Sequence, residues 1–147
     1  VHLVPLGCHV LPDQRTEDPI DPPTSAKTTL LVVASDPERK RIGLAVDTAA
    51  LLRSRGIGAE LLHIGARHRL LERPFVRSLG PLRLSNPDDR AAHVAAIRAA
   101  HLSILPSSGE AFGIAPAESA LVGRPAIVSD AGGLPTVVAV NMVDLAA

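Results

Sequence analysis

Length, composition and charge limit the classes of protein to which this chain can belong. Its 147 residues suffice for one domain with a single core, and 46% hydrophobic with 20% charged residues is a globular balance. Lys plus Arg and Asp plus Glu both total 15, and Phe75 and Phe112 are the only residues of the Phe, Trp and Tyr group. Without net charge or a set of aromatic side chains, the chain is not expected to bind nucleic acid.

Cysteine content and hydropathy bear on location. Cys8 is the single cysteine, so no intrachain disulfide can form, and a reducing, cytoplasmic location is expected. No stretch approaches the roughly 18 apolar residues of a membrane span, so we expect no transmembrane segment. The start at Val1 and the end after an apolar segment suggest a piece of a longer polypeptide.

The first 28 residues have the composition of a connecting segment. The short apolar stretch His2–Gly7 could form an edge strand, and the prolines and aspartates between Pro12 and Pro23 favour irregular backbone. We therefore predict an interdomain strand and a Pro/Asp-rich linker over residues 1–28. The folded domain is predicted over residues 29–147, with truncation at its C-terminus left open.

Short apolar runs alternate with amphipathic stretches from residue 28 onwards, which is typical of a parallel sheet with helical crossovers. The predicted strands are Thr29–Ala34, Ala59–Gly65, Phe75–Leu79, Leu102–Pro106, Pro125–Ser129 and Thr136–Val140.

Three helices are predicted between these strands. The first carries Ile42, Ala45, Ala49 and Leu52 at helical spacing and stops at Gly56. The second begins at Asn86-Pro87-Asp88-Asp89, a side-chain cap with proline and two carboxylates in the first turn, and runs to about Ala100. The third runs from about Ala115-Pro116 to Gly123. The pattern predicts an α/β fold, a Rossmann-like parallel sheet flanked by helices.

Ligands of such sheets bind beyond the carboxyl ends of the strands. The loop after the first strand contains Arg39-Lys40-Arg41 directly before a helix. A phosphate at that position would gain both side-chain charge and N–H donors. A solvated basic turn is the alternative interpretation.

The loop after the fourth strand carries two carboxylates. Glu110 and Glu118 are separated by seven residues, and Gly113 between them allows a ligand to approach the backbone. One carboxylate could accept from a sugar hydroxyl or reacting centre and the other from the vicinal hydroxyls of a ribose. The helix dipole alone also favours glutamate in a first turn, so a structural role for Glu118 stays open.

The whole segment around these carboxylates is more specific than their spacing. Residues 105–135 read LPSSGEAFGIAPAESALVGRPAIVSDAGGLP. This segment closely resembles the donor-site signature of the retaining group 1 glycosyltransferases of GT-B fold, in which Glu-x7-Glu precedes Gly-x-Pro, an apolar strand and Gly-Gly-Leu-Pro. Val4-Pro-Leu-Gly7 and Ser35-Asp-Pro-Glu-Arg-Lys40 also resemble family segments. Ser35 and Thr136 depart from the arginine and the acidic residue common at those positions.

The resemblance implies a role for each matching residue. Lys40, with Arg39, would neutralise the diphosphate of a nucleotide sugar, and Glu118 would hold the ribose hydroxyls. Glu110 would face the transferred sugar, and the backbone amides around Phe112, Gly113 and Ile114 would meet the sugar and diphosphate. Glu110 and Lys40 are thus the implied catalytic residues.

The resemblance also implies what the chain needs and lacks. It would be the C-terminal, donor-binding half of a hexosyltransferase-type enzyme that uses no cofactor and no metal, its partners being a nucleotide sugar and a missing N-terminal acceptor domain. Without that domain the isolated chain is expected to be inactive. The histidine pairs His63/His68 and His93/His101 lack the carboxylate spacing of a zinc site.

Three alternatives remain from the sequence. An epimerase or a phosphorylase could share this architecture, although a phosphorylase would need Lys27 or Lys40 for pyridoxal phosphate. A non-catalytic nucleotide-binding or scaffold module is the alternative outside enzymes. The nucleotide base, the sugar, the acceptor and the oligomeric state cannot be read from the sequence.

Overall fold

A five-stranded parallel sheet forms the centre of the protein, with strand order β3-β2-β1-β4-β5. The computed structural model describes residues 8–16, 21 and 23–135. The strands are β1 (Thr28–Ala34), β2 (Ala59–Gly65), β3 (Val76–Ser78), β4 (Leu102–Leu105) and β5 (Ala126–Val128), and the helices are α1 (Ile42–Ser54), α2 (Pro87–Ala99) and α3 (Ile114–Leu121). The predicted α/β fold with a parallel sheet flanked by helices is confirmed.

Two hydrophobic cores lie on the opposite faces of the sheet, so the expectation of a single core was wrong. Leu30 and Val32 of β1 belong to the core that includes Ile42 of α1, whereas Leu31 belongs to the core that includes Ile97 of α2. Both faces of β1 are therefore buried, because successive side chains of a strand point to opposite sides. This explains why the central strands read as nearly continuous apolar runs.

Helix α2 begins as its sequence predicts. The Asn86 side chain accepts a hydrogen bond from the backbone N–H of Asp88 at 2.8 Å, and Pro87 occupies the first helical position. Asp88 and Asp89 lie in the first turn, where the helix dipole favours negative charge.

Helix α3 begins one or two residues earlier than predicted. Gly113 caps the helix with a φ of 84°, in the left-handed region, so the helix starts at Ile114 rather than at Ala115 or Pro116. Glu118 consequently lies beyond the first turn, which contains no acidic residue. Stabilisation by the helix dipole therefore does not explain Glu118.

The edge strands are shorter than predicted. β3 covers three residues instead of the predicted Phe75–Leu79, and β5 covers three instead of Pro125–Ser129. Among the described residues, each of these strands pairs with one neighbour, so backbone hydrogen bonds from another strand support it on one side only. The predicted strands His2–Gly7 and Thr136–Val140 lie outside the described residues.

Residues 8–16 pack against the domain. Val10 is buried in the core formed with α2, and the backbone N–H of Thr16 donates to the Leu121 carbonyl of α3 at 2.9 Å. The segment also contains a short 3-10 turn, Pro12–Gln14. This packing brings His9 to the open edge of the sheet.

The helices are short compared with a bilayer. The longest, α1 and α2, have 13 residues each, whereas about 20 are needed to cross the hydrocarbon core. None of the helices in the described ranges could span a membrane.

Candidate functional site

The strand order creates a cleft at one edge of the sheet. Strands β2 and β3 lie on one side of β1, whereas β4 and β5 lie on its other side. The loops that follow β1 and β4 therefore run apart from each other beyond the carboxyl ends of these two strands. A cleft of about 570 Å³ opens there. Residues that follow β1, β2 and β4 line it, with Pro81, Leu82 and Leu84 as an apolar wall between β3 and α2.

Six of the seven predicted site residues line this one cleft. They are Lys40, Glu110, Phe112, Gly113, Ile114 and Glu118. Arg39 is not part of the cleft wall, and its guanidinium contacts Glu110 from the solvent side with a side chain that is 44% exposed. The structure thus brings together residues from two separate loops, while their roles toward a ligand remain predictions.

Lys40 and Glu110 form an ion pair inside the cleft. The Lys40 ammonium donates to Oε1 of Glu110, which also accepts from the Arg39 guanidinium and the Ser107 hydroxyl, both at 3.0 Å. Burial by itself raises the pKa of Glu110, but hydrogen bonds from Lys40 and Ser107 and the charges of Lys40 and Arg39 bring that pKa below its ordinary value. Glu110 is therefore ionised at neutral pH.

Backbone contacts tie the two loops together. The Arg39 carbonyl accepts from the N–H and the hydroxyl of Ser108 at 2.9 and 3.1 Å, and the Arg39 guanidinium donates to the Gly109 carbonyl at 2.9 Å. Lys40 and Glu110 consequently keep their relative positions through the main chain as well as through their ion pair.

The Glu110 loop rests on the Gly132-Gly133 pair. The backbone N–H of Gly133 donates to the Glu110 carbonyl at 2.7 Å, and Gly132 adopts a φ of 62°. A glycine takes this left-handed conformation at little cost. The Gly-Gly-Leu-Pro segment of the sequence thus supports the carboxylate loop.

Glu118 is held deep in the cleft by two histidines. Its Oε1 accepts from the backbone N–H of His9 at 2.8 Å and lies 2.9 Å from Nδ1 of His9, and its Oε2 lies 2.8 Å from Nε2 of His93. Burial raises the pKa of Glu118, but the hydrogen bonds from His93 and His9 and the charge of His93 bring that pKa below its ordinary value. The carboxylate is ionised although its side chain is only 2% exposed.

The lowered pKa values of Glu110 and Glu118 predict that acid destabilises the protein. The unfolded chain then binds protons at higher pH than the native chain, so this stabilisation is complete above the ordinary glutamate pKa of about 4.3 and declines as pH falls through the lower native values. Denaturant titrations between about pH 6 and pH 3 should show a smaller fall in the free energy of unfolding for Glu118→Gln than for the wild type. The exposed Glu72→Gln is the matched control, and equal falls in the two variants would contradict the prediction.

Several residues of the cleft were not predicted from the sequence. His9 and His93 contact Glu118 across 109 and 25 residues of chain, and no local spacing reveals such pairs. Gly65 lies on the cleft wall with a φ of 140°, and a Cβ there would lie 1.9 Å from the Ala34 carbonyl oxygen. A glycine closing a predicted apolar strand is the signal that could have identified it.

Across residues 8–16, 21 and 23–135, no three His, Cys, Asp or Glu side chains are grouped so that they could hold a metal ion. His63 is buried and lies 2.8 Å from the Ser78 hydroxyl through Nδ1. Burial lowers the pKa of His63, and its hydrogen bond to the Ala34 carbonyl offsets only part of that effect.

Solved structures of glycosyltransferases share this fold. WaaG, a glycosyltransferase involved in lipopolysaccharide biosynthesis, aligns with a TM-score of 0.66 and 22% identity over 94% of this chain and 40% of WaaG. Sucrose-phosphate synthase from Thermosynechococcus elongatus aligns with a TM-score of 0.55 and 20% identity over 78% of this chain and 30% of the synthase.

Sequence comparisons extend this likeness. D-inositol 3-phosphate glycosyltransferase of Thermobifida fusca (strain YX) is 42% identical over 57 residues, which are 39% of this chain and 13% of that relative. The chain thus matches only a small part of this relative and less than half of WaaG. Residues 27–145 match the family model described as glycosyl transferases group 1. Because that match covers most of the chain, the protein belongs to the group 1 glycosyl transferases.

Proposed function

We propose that the cleft binds a nucleotide-diphosphate sugar and that the chain is the donor-binding, C-terminal half of a two-domain retaining glycosyltransferase. The observation that carries this proposal is the meeting of Lys40, Glu110 and Glu118 in one cleft beyond the sheet. Carboxylates for sugar hydroxyls and an ammonium for phosphate are the groups that such a ligand needs. Membership of the glycosyl transferase family supports the same substrate class.

Lys40 and the start of α3 supply positive charge for the diphosphate. The N-terminus of a helix carries unpaired N–H groups and roughly half a positive charge. Gly113 and Ile114 at this helix start line the cleft together with Lys40, and Gly113 has no side chain to cover the N–H groups. These donors can neutralise a diphosphate in the way that a metal ion does elsewhere, so we propose a metal-independent site without a cofactor.

The two carboxylates bind different sugars of the donor. Glu118, at the deep end, accepts hydrogen bonds from the ribose hydroxyls, and Glu110, next to Lys40, faces the transferred hexose. Both are ionised, so both act as acceptors only. The neighbouring residue Phe112 lies on the same wall, and its backbone amide is the group proposed to meet the sugar or the diphosphate.

In the proposed reaction the bond between the anomeric carbon and the diphosphate oxygen breaks. A new bond forms from that carbon to an acceptor hydroxyl on the same face of the sugar, and the hydroxyl proton passes to the departing diphosphate. Lys40 and the α3 amides stabilise the charge that develops on the leaving group. A second domain must bring the acceptor, so the isolated chain is expected to bind the donor without transferring its sugar. The lone Cys8 favours the reducing cytoplasm as the location.

Calorimetry with nucleoside diphosphates tests this proposal. UDP, GDP and ADP, each with the matching monophosphate, are titrated into the 147-residue chain. We expect at least one diphosphate to bind with a micromolar Kd, and its monophosphate to bind roughly tenfold more weakly because one charged contact to Lys40 is lost. Binding should also raise Tm, because a ligand selective for the native state stabilises it.

The opposite result would support the scaffold module instead. If none of the three diphosphates gives heat or raises Tm, the cleft does not serve as a donor site. Equal affinities for each diphosphate and its monophosphate would remove the proposed role of Lys40 while leaving a nucleoside site.

A further inference from the structure

His93 is a buried titratable residue that the proposed reaction does not use. It projects from α2 into the cleft wall, where residue His93 is 1% exposed and its Nε2 lies 2.8 Å from Oε2 of Glu118. Both side chains are 2% exposed. A polar pair this deep is costly unless each group satisfies the other, so its presence calls for a physical reason.

The ionised carboxylate determines which nitrogen of His93 carries hydrogen. A carboxylate only accepts hydrogen bonds, so Nε2 of His93 must donate to Glu118. Nδ1 is buried and has no hydrogen-bond partner within the described part of the chain. The geometry therefore places a hydrogen on Nε2, and the one hydrogen bond that the His93 ring makes in this part of the chain is the one to Glu118.

The other oxygen of Glu118 has a different kind of partner. The His9 backbone N–H and Nδ1 of its ring both contact Oε1, but the His9 side chain is 44% exposed. An ionised carboxylate offers about four lone-pair positions. A ligand can therefore displace the exposed His9 ring from Oε1, whereas the enclosed His93 ring stays on Oε2.

We propose that His93 is a positioning residue that fixes Glu118 through its Nε2–H, so that the carboxylate recognises the vicinal hydroxyls of a nucleoside ribose. The inference rests on the proposed function of the cleft and adds a source of selectivity for ribose over deoxyribose. Glu118 touches the hydroxyls, and His93 acts only through Glu118. Loss of the Nε2 donor lets the carboxylate rotate and removes the selectivity.

Two amide variants separate the two ring nitrogens. Glutamine at position 93 places an amide nitrogen where Nε2 lies, whereas asparagine places one where Nδ1 lies. The Kd of each diphosphate that binds the wild type is measured against its 2′-deoxy form, in the wild type, His93→Gln and His93→Asn. We expect the ribo form to bind roughly 10- to 100-fold more tightly in the wild type and in His93→Gln, and equally with the deoxy form in His93→Asn. Glu118→Gln shows the ratio of the deoxy and ribo Kd values when the charged acceptor is absent.

The ratio of the two affinities distinguishes positioning from a general packing role. A purely structural role would weaken ribo and deoxy ligands alike and leave their ratio unchanged in His93→Asn, which would overturn the inference and leave the proposed function standing. Binding by the wild type without any preference for ribose would also overturn it. If no diphosphate binds the wild type, it is the proposed function that fails, and the inference falls with it.

A measurement on the wild type keeps the inference testable if the variants do not fold. Nitrogen NMR of the His93 ring reports which nitrogen carries hydrogen. We expect hydrogen on Nε2, with the Nε2 signal shifted by the ribo ligand more than by the deoxy ligand. Hydrogen on Nδ1 alone would contradict donation to Glu118 and reject the proposed positioning.

Discussion

Replacing Lys40 with glutamine is expected to weaken the binding of a nucleoside diphosphate by roughly 10- to 100-fold, because a hydrogen bond between charged groups contributes a free energy of that size. The Lys40 ammonium is 13% exposed and lies on the wall of the cleft, so solvent screens it only partly. Glu110 keeps its contacts to Arg39 and Ser107 in the variant and does not become an unpaired buried charge. The loss should therefore appear in Kd, measured by calorimetry, more than in the free energy of unfolding.

The second lysine of the chain supplies a matched control. Lys27 lies at an exposed position before β1, away from the cleft, and Lys27→Gln makes the same change in charge and size. The diphosphate Kd of Lys27→Gln should stay at the wild-type value. A Lys40→Gln chain that binds as tightly as Lys27→Gln would show that Lys40 does not contact the diphosphate.

The fold was predictable where burial and capping act locally. β2 has the predicted bounds and β1 differs by one residue, because both faces of these strands are buried and their apolar runs end sharply. The start of α2 follows from Asn86 and Pro87. The start of α3 did not follow, since a glycine adopts either sign of φ at little cost and the sequence pattern does not show that Gly113 takes a φ of 84° at the cap.

The residues of the candidate site that belong to sequence motifs were predictable. Lys40, Glu110 and Glu118 lie in one cleft because parallel strands bring their following loops to the same edge. The outward position of Arg39 could not be predicted, because its guanidinium turns toward Asp36 and Glu110 in the folded loop. The contacts of His9 and His93 with Glu118 depend on packing between distant segments, which spacing does not encode.

Adding a single methyl group at Gly133 is expected to disrupt the Glu110 loop. A Cβ at this position would lie 2.1 Å from the Ala111 carbonyl oxygen and 2.9 Å from the Ala111 carbonyl carbon, so the main chain of the loop would have to move. The movement also strains the hydrogen bond from the Gly133 N–H to the Glu110 carbonyl. We expect Gly133→Ala to lower the free energy of unfolding by about 1–3 kcal/mol.

The same displacement should weaken ligand binding, although Gly133 is not part of the cleft wall. The movement shifts the backbone at Ala111 and Phe112, next to the amides proposed to contact the diphosphate, so the diphosphate Kd should rise at least roughly tenfold. Gly109→Ala is the matched control, because a Cβ at Gly109 in the same loop would meet nothing within 4 Å. Denaturant unfolding and calorimetry measure both effects. If Gly133→Ala keeps the affinity of Gly109→Ala, the glycine pair does not set the position of Glu110, and its side-chain contacts with Lys40, Arg39 and Ser107 must hold the carboxylate in the cleft.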